Sequence, residues 1–218
     1  MWRWVLLDRR LLPRSCVAAF DFSIGASGGL VRDLSGMCVG PHMTGGSTAP
    51  GPGTRIMEFD GVDDTCWSDR DVRFNASGWS LGGWMRVDDV ETWSMLFGWS
   101  FGLRPEIANE LGAAVVYVSD TPLAATVGTV FTVGEWMHLV VTCTLGVGHA
   151  IYLNGESLAL SSNSDGVGYY EDSAAKVYVV NVNSYVAMAA GLVCACDECL
   201  PAGEVARWHA ATAHVFRV

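Results

Sequence analysis

Over residues 79–87 the chain alternates: Trp79, Leu81, Gly83, Met85 and Val87 fall on one face, with Ser80, Gly82, Trp84 and Arg86 on the other. A period of two marks a strand, because successive side chains of extended backbone point to opposite sides. The mixed second face predicts a sheet partly open to water. Short segments rich in β-branched and aromatic residues recur between turn signals at 17–22, 55–59, 95–99, 113–118, 136–143, 150–154, 176–180 and 191–196. That many short strands predict a two-sheet sandwich. Asn154-Gly155 lies between two such runs and supplies the two positive-φ positions of a type I′ hairpin. Residues 40–53, with Pro41, Pro50 and Pro52, predict a long loop. Helical spacing is seen at 201–211, where Pro201 precedes Val205, Trp208 and Ala211, and predicts one short helix near the C-terminus.

At 218 residues, 50% apolar and 17% charged, the chain carries enough apolar surface for a substantial core and too little charge for a disordered segment. The net charge of −10, from 13 basic residues scattered among 23 acidic ones, argues against nucleic acid and anionic membranes as partners. Twenty-five glycines beside nine tryptophans strengthen the β reading, since glycine serves tight turns and tryptophan fills thick cores or binds rings. The apolar run before Asp8 is four residues long, short of the roughly 7 to 15 of a signal-peptide core, so Sec export is not expected. The longest stretch of small apolar residues, 185–196, is 12 residues, below the roughly 18 to 20 needed for a membrane span.

Seven cysteines, Cys16, Cys38, Cys66, Cys143, Cys194, Cys196 and Cys199, are an odd number, and a chain of this size needs no disulfide framework. They read as reduced thiols packed as small hydrophobes.

Ordered pieces of the sequence resemble the laminin G-like jelly rolls of the concanavalin A-like lectin and glucanase superfamily. Residues 16–22 with Gly28 and the Val31-Arg-Asp-Leu-Ser-Gly36 turn are similar to that family's opening strand. Residues 57–64, reading Met-Glu-Phe-Asp-Gly-Val-Asp-Asp, resemble its F-D-G-V-D-D turn, and 79–87 its next strand. Gly134-Glu-Trp-Met-His138 and Ile151-Tyr-Leu-Asn-Gly155 are similar to its G-x-W-x-H and L-Y-V-N-G motifs, and 191–208 stand in the place of the closing strand and helix. The resemblance covers about residues 16–210 and implies an all-β antiparallel jelly-roll sandwich with one short C-terminal helix, in a domain spanning 15–218. The chain departs from the pattern at Cys194-Ala-Cys-Asp-Glu-Cys199, where the family carries a strand rich in Asp and Arg.

The architecture hosts lectins, adhesion modules, capsid-associated domains and glycosidases, so the candidate chemistry must be weighed residue by residue. A retaining glycosidase needs paired carboxylates; Glu58-Phe-Asp60 is the nearest fragment, and it sits in a structural turn. Asp60, Asp63 and Asp64, with Asp21 or Asp33, offer oxygens to calcium, an ion the family often binds; the alternative is a solvated turn. Cys194, Cys196 and Cys199 have thiolate spacing for zinc or an iron cluster, yet they lack a fourth ligand apart from His209, and core packing is the preferred account. His138 matches a structural position, and the five histidines form no paired motif. Trp67, Trp84, Trp93 and Trp99 are the candidates for a sugar-stacking face, set against plain core filling. No catalytic residue is assigned.

A lectin-like sandwich without an export signal leads to a non-catalytic virion accessory protein, bound to capsid or tail on the virion surface. It would partner other virion proteins or copies of itself and display its fold toward a cell-surface glycan. The alternative is an extracellular, stand-alone glycan-binding lectin, with a glycoside hydrolase third. The segment 1–14 reads as an attachment arm through Trp2, Trp4, Leu6 and Leu11, or as an extra edge strand.

Overall fold

A computed structural model of the protein describes residues 10, 12–22, 32–35, 42–44, 47–50, 55–90, 93–99, 105–118, 121–165, 175–179 and 187–216. In chain order the described elements are β1 (Cys16–Asp21), β2 (Arg32–Asp33), β3 (His42–Thr44), β4 (Ser47–Pro50), β5 (Arg55–Asp60), β6 (Thr65–Trp67), β7 (Gly78–Val87), β8 (Ser94–Trp99) and β9 (Glu106–Glu110). Then come β10 (Ala113–Val118), β11 (Thr121–Thr126), β12 (Met137–Thr144), β13 (Gly148–Leu153), β14 (Glu156–Ser157), β15 (Leu160–Asn163), β16 (Val177–Val179), β17 (Ala187–Cys196) and α1 (Ala202–Phe216).

Two antiparallel sheets form. The first runs β14-β13-β12-β7-β17-β1-β2, with β5 also paired to β17 and β4 to β5; the second runs β15-β11-β10-β9-β8-β16-β6-β3. The first strand, β1, therefore lies beside the last, β17, with Ala19 opposite Cys194 and a register shift between Cys16 and Ala18. The core sits between the sheets, where Trp79, Leu81 and Met85 of β7 meet Leu96, Phe97 and Trp99 of β8. The alternation read from residues 79–87 is realised as written: the odd positions are inward.

The even positions behave differently from expectation. The outer face of the first sheet is covered by α1, so Trp84 is 2% exposed in a second core with Val140, Leu192, Val205, Trp208 and Phe216. The Trp84 ring stacks on Phe216 at 4.9 Å, and its Nε1 donates to the Thr212 hydroxyl at 2.7 Å. This explains why the helix extends past the expected end: Thr212, Ala213, Val215 and Phe216 continue its buried stripe. Gly191 makes room for it, because a Cβ there would run into the Phe216 ring.

Asn154 (φ 52°) and Gly155 (φ 84°) form the expected hairpin turn between β13 and β14. The region expected as a long loop holds β3 and β4, since Ser47–Pro50 pairs with Arg55–Asp60 and His42–Thr44 with Thr65–Trp67. Partner strands there override a local preference for turn, and Pro50 is tolerated on an edge strand. Of the N-terminal segment, Leu12 is buried in the core beneath α1; Trp2, Trp4, Leu6 and Leu11 lie outside the described residues. No described helix is long and apolar enough to cross a membrane.

Candidate functional site

The two outer faces differ. α1 closes the first, whereas among the described elements no helix lies over the second. Antiparallel register places directly opposed residues on one face, so Trp67, Tyr178, Gly98, Glu106 and Tyr117 form one row across β6, β16, β8, β9 and β10. At the usual strand spacing the row spans about 19 Å.

At one end of it the chain builds a platform. Tyr117 packs with Met95, Ala108 and Val115 in a small outer cluster. Its hydroxyl donates to Glu110 Oε2 at 2.5 Å, and burial first, then this bond, push its ionisation up to about 12. Trp93 stands edge-to-face against Tyr117, with centroids 6.0 Å apart and planes at 80°. It remains 43% exposed. An indole held by a buried ring, beside an exposed carboxylate with acceptor capacity to spare, offers a sugar both a surface for its CH groups and an acceptor for its hydroxyls.

The four candidate tryptophans thus have different places. Trp93 is on this platform, and Trp67 is half-buried at the far end of the row. Trp99 is 1% exposed, 5.2 Å from the Phe74 ring inside the sandwich, and Trp84 lies beneath α1. Both are buried core side chains rather than residues of an open face, which corrects that part of the expectation. Tyr117 and Glu110 were missed. Their strands meet at Leu111-Gly112, both of positive φ, where the Asn109 side chain accepts from Gly112 N at 2.9 Å. Leucine in that conformation is rare, so the turn has no obvious signature.

A second aromatic concavity of about 530 Å³ opens beside α1, lined by Trp84, Trp136, His209, Phe216, Glu135 and Asn154. Beneath it lies His138, fully buried, with Trp84 at 5.1 Å and Trp208 at 4.5 Å. Burial, with the charge of His209 second, lowers its ionisation to about 3. Neither ring nitrogen has a hydrogen-bond partner among the described residues.

The acidic turn gathers Asp60, Asp63 and Asp64, with one oxygen of each within 4.8 Å of the others. Oxygens sharing one calcium ion at about 2.4 Å fall within that span, so the donor set fits the ion as part of a shell. The turn also uses these groups itself: Asp64 Oδ2 accepts from Asp60 N at 2.7 Å, and Asp60 Oδ1 from Val62 N at 2.8 Å. Asp33 is engaged elsewhere, accepting from Ala19 N and Ser35 N.

Six cysteines are described, five of them buried and Cys199 half-buried. The thiols that converge are Cys16, Cys194 and Cys196, all buried. Cys16 stands in the group where the spacing predicts Cys199, although 178 positions separate it from Cys194.

No protein-family model matches the chain, and no curated protein matches it by sequence. Solved structures do. Trypanosoma rangeli sialidase is similar over 95% of this chain and 34% of its own, at 14% identity and a TM-score of 0.71. The binding domain of Paraclostridial Mosquitocidal Protein 1 matches with TM-score 0.66 and 16% identity, over 89% of this chain and 52% of its own. The botulinum neurotoxin serotype D binding domain matches with TM-score 0.66 and 9% identity, over 91% of this chain and 51% of its own. The chain spans about a third to a half of these proteins. At such identities the likeness shows the β-sandwich fold alone.

Proposed function

We propose that the protein is a non-catalytic carbohydrate-binding module of the laminin G-like kind, using the outer face of the second sheet. The observation that carries this reading is Trp93, exposed and braced by Tyr117, whose hydroxyl is tied to Glu110. The fold is compatible with it, since similar structures include two toxin binding domains and a sialidase. With Glu110 as the charged group of the platform and −10 overall, a neutral sugar is favoured over a carboxylated one. The described residues carry nothing toward the virion setting, and the expected arm residues Trp2, Trp4, Leu6 and Leu11 lie outside them.

The test is a panel of neutral and anionic glycans, followed by calorimetry on the best ligand. Trp93→Ala removes a ring that is 43% exposed and should weaken binding by about 2 kcal/mol, roughly 30-fold, with a small change in melting at most. Trp136→Ala, in the other concavity, should leave affinity unaltered. Unaltered binding by Trp93→Ala, or loss in Trp136→Ala instead, would refute the assignment; turnover of a glycoside would refute the non-catalytic reading.

A further inference from the structure

We infer that Cys16 and Cys194 are the partners of an intrachain disulfide that ties the first strand of the fold to the last. Their Sγ atoms lie 2.6 Å apart, nearer the roughly 2.05 Å of a disulfide than the roughly 3.5 to 4.0 Å at which non-bonded heavy atoms rest. The pairing follows from the backbone. Cys16 is opposite Cys196 in the ladder, but the register shift between Cys16 and Ala18 precedes the alignment of Ala19 with Cys194, and the Cys16 sulfur crosses to Cys194. Cys196, two residues along the same face of β17, keeps its sulfur 3.8 Å from that of Cys194.

A shared metal ion is the competing account of three converging thiols. Two thiolates bound tetrahedrally to zinc at about 2.3 Å sit roughly 3.8 Å from each other. The Cys194–Cys196 distance would suit that arrangement; the Cys16–Cys194 distance is too short for it. The geometry therefore selects a bond between two sulfurs, leaving Cys196 as the remaining thiol. Burial raises the Cys16 and Cys194 thiols, while hydrogen bonds from those two hold Cys196 below its ordinary value. That lowering belongs to the reduced chain, because a Cys16–Cys194 bond leaves neither sulfur a proton to donate.

The oxidant is a small disulfide such as oxidised glutathione. Two protein thiols and one glutathione disulfide give one protein disulfide and two glutathione thiols. Because all three sulfurs are buried, the exchange belongs to folding, before β1 closes on β17, in an oxidising compartment where such bonds persist.

The full chain is refolded in an oxidising glutathione buffer, in parallel with a dithiothreitol-reduced sample, alkylated in denaturant and mapped by mass spectrometry without reduction. The expected result is a loss of about 2 Da with a Cys16–Cys194 cross-linked peptide and Cys196 alkylated, and a melting temperature roughly 5 to 15 °C above that of the reduced chain. Cys196→Ser should keep the link, whereas Cys16→Ser and Cys194→Ser should lose both link and redox-dependent shift. If either of these two fails to fold, the wild-type map decides alone. Full alkylation of all three cysteines under oxidising conditions, a stable link involving Cys196, or one zinc per chain by elemental analysis would overturn the inference.

Discussion

Acidification should weaken this fold through His138. The unfolded chain takes up a proton near the ordinary 6.5, but the fold holds the ring neutral to about 3. Below pH 6.5 the unfolded state binds the proton and the native state does not. Stability present above that value is therefore lost progressively as pH falls toward 3. For a group with no solvent exposure, the difference amounts to about 2 kcal/mol at pH 5 and about 3 kcal/mol at pH 4. The ring lies among Trp84, Trp208 and His209, so leucine fits its space without the titratable nitrogens. The backbone bond from His138 N to Asn154 Oδ1 survives the change. Thermal unfolding of wild type and His138→Leu is followed by circular dichroism from pH 7.5 to 4. The wild-type melting temperature should fall between pH 7.5 and 5 by roughly 4 to 8 °C more than that of the variant. His149, whose ionisation is also lowered by burial, contributes to both proteins and cancels in the comparison. Parallel profiles would show that the ring finds a way to protonate in place, and the account of its burial would be wrong.

Further outcomes concern α1 and the acidic turn. Thr212→Val keeps the shape but removes the acceptor of Trp84 Nε1. It should cost about 1 to 3 kcal/mol in urea unfolding; no loss would mean that the indole is satisfied otherwise. Gly191→Ala places a methyl against Phe216 and should cost about 1 to 3 kcal/mol. Most of that penalty should vanish in a Phe216→Leu background, a coupling that a double-mutant cycle reads directly. Calcium at the Asp60, Asp63 and Asp64 turn should raise the melting temperature of the wild type and not of Asp63→Asn; an equal response of the two would remove the ion from that turn.

Local chemistry determined much of the β-sandwich. A period of two is a property of extended backbone itself, so the inward set Trp79, Leu81, Gly83, Met85 and Val87 could be read without knowing what it packs against. The same holds for Asn154-Gly155, whose positive φ values are a two-residue matter, and for the start of α1, where Pro201 and the spacing of Val205 and Trp208 act within two turns. What covers a face is not local. Trp79 and Trp84 are the same residue on the two sides of one strand, and both are buried, one by the second sheet and the other by a helix more than a hundred residues later. The pattern that marked Trp84 as a surface candidate was correct about its face and silent about the helix. Trp93 and Tyr117 meet because β8, β9 and β10 are neighbours in the second sheet, and the Leu111-Gly112 turn that makes two of them adjacent rests on a side chain of Asn109 rather than on a turn dipeptide. The three thiols converge for the same reason. Cys194 and Cys196 share a face by alternation, which the chain states outright, but Cys16 joins them because closure of the sheet pairs the first strand with the last, and sulfur chemistry depends on a distance that only that pairing supplies.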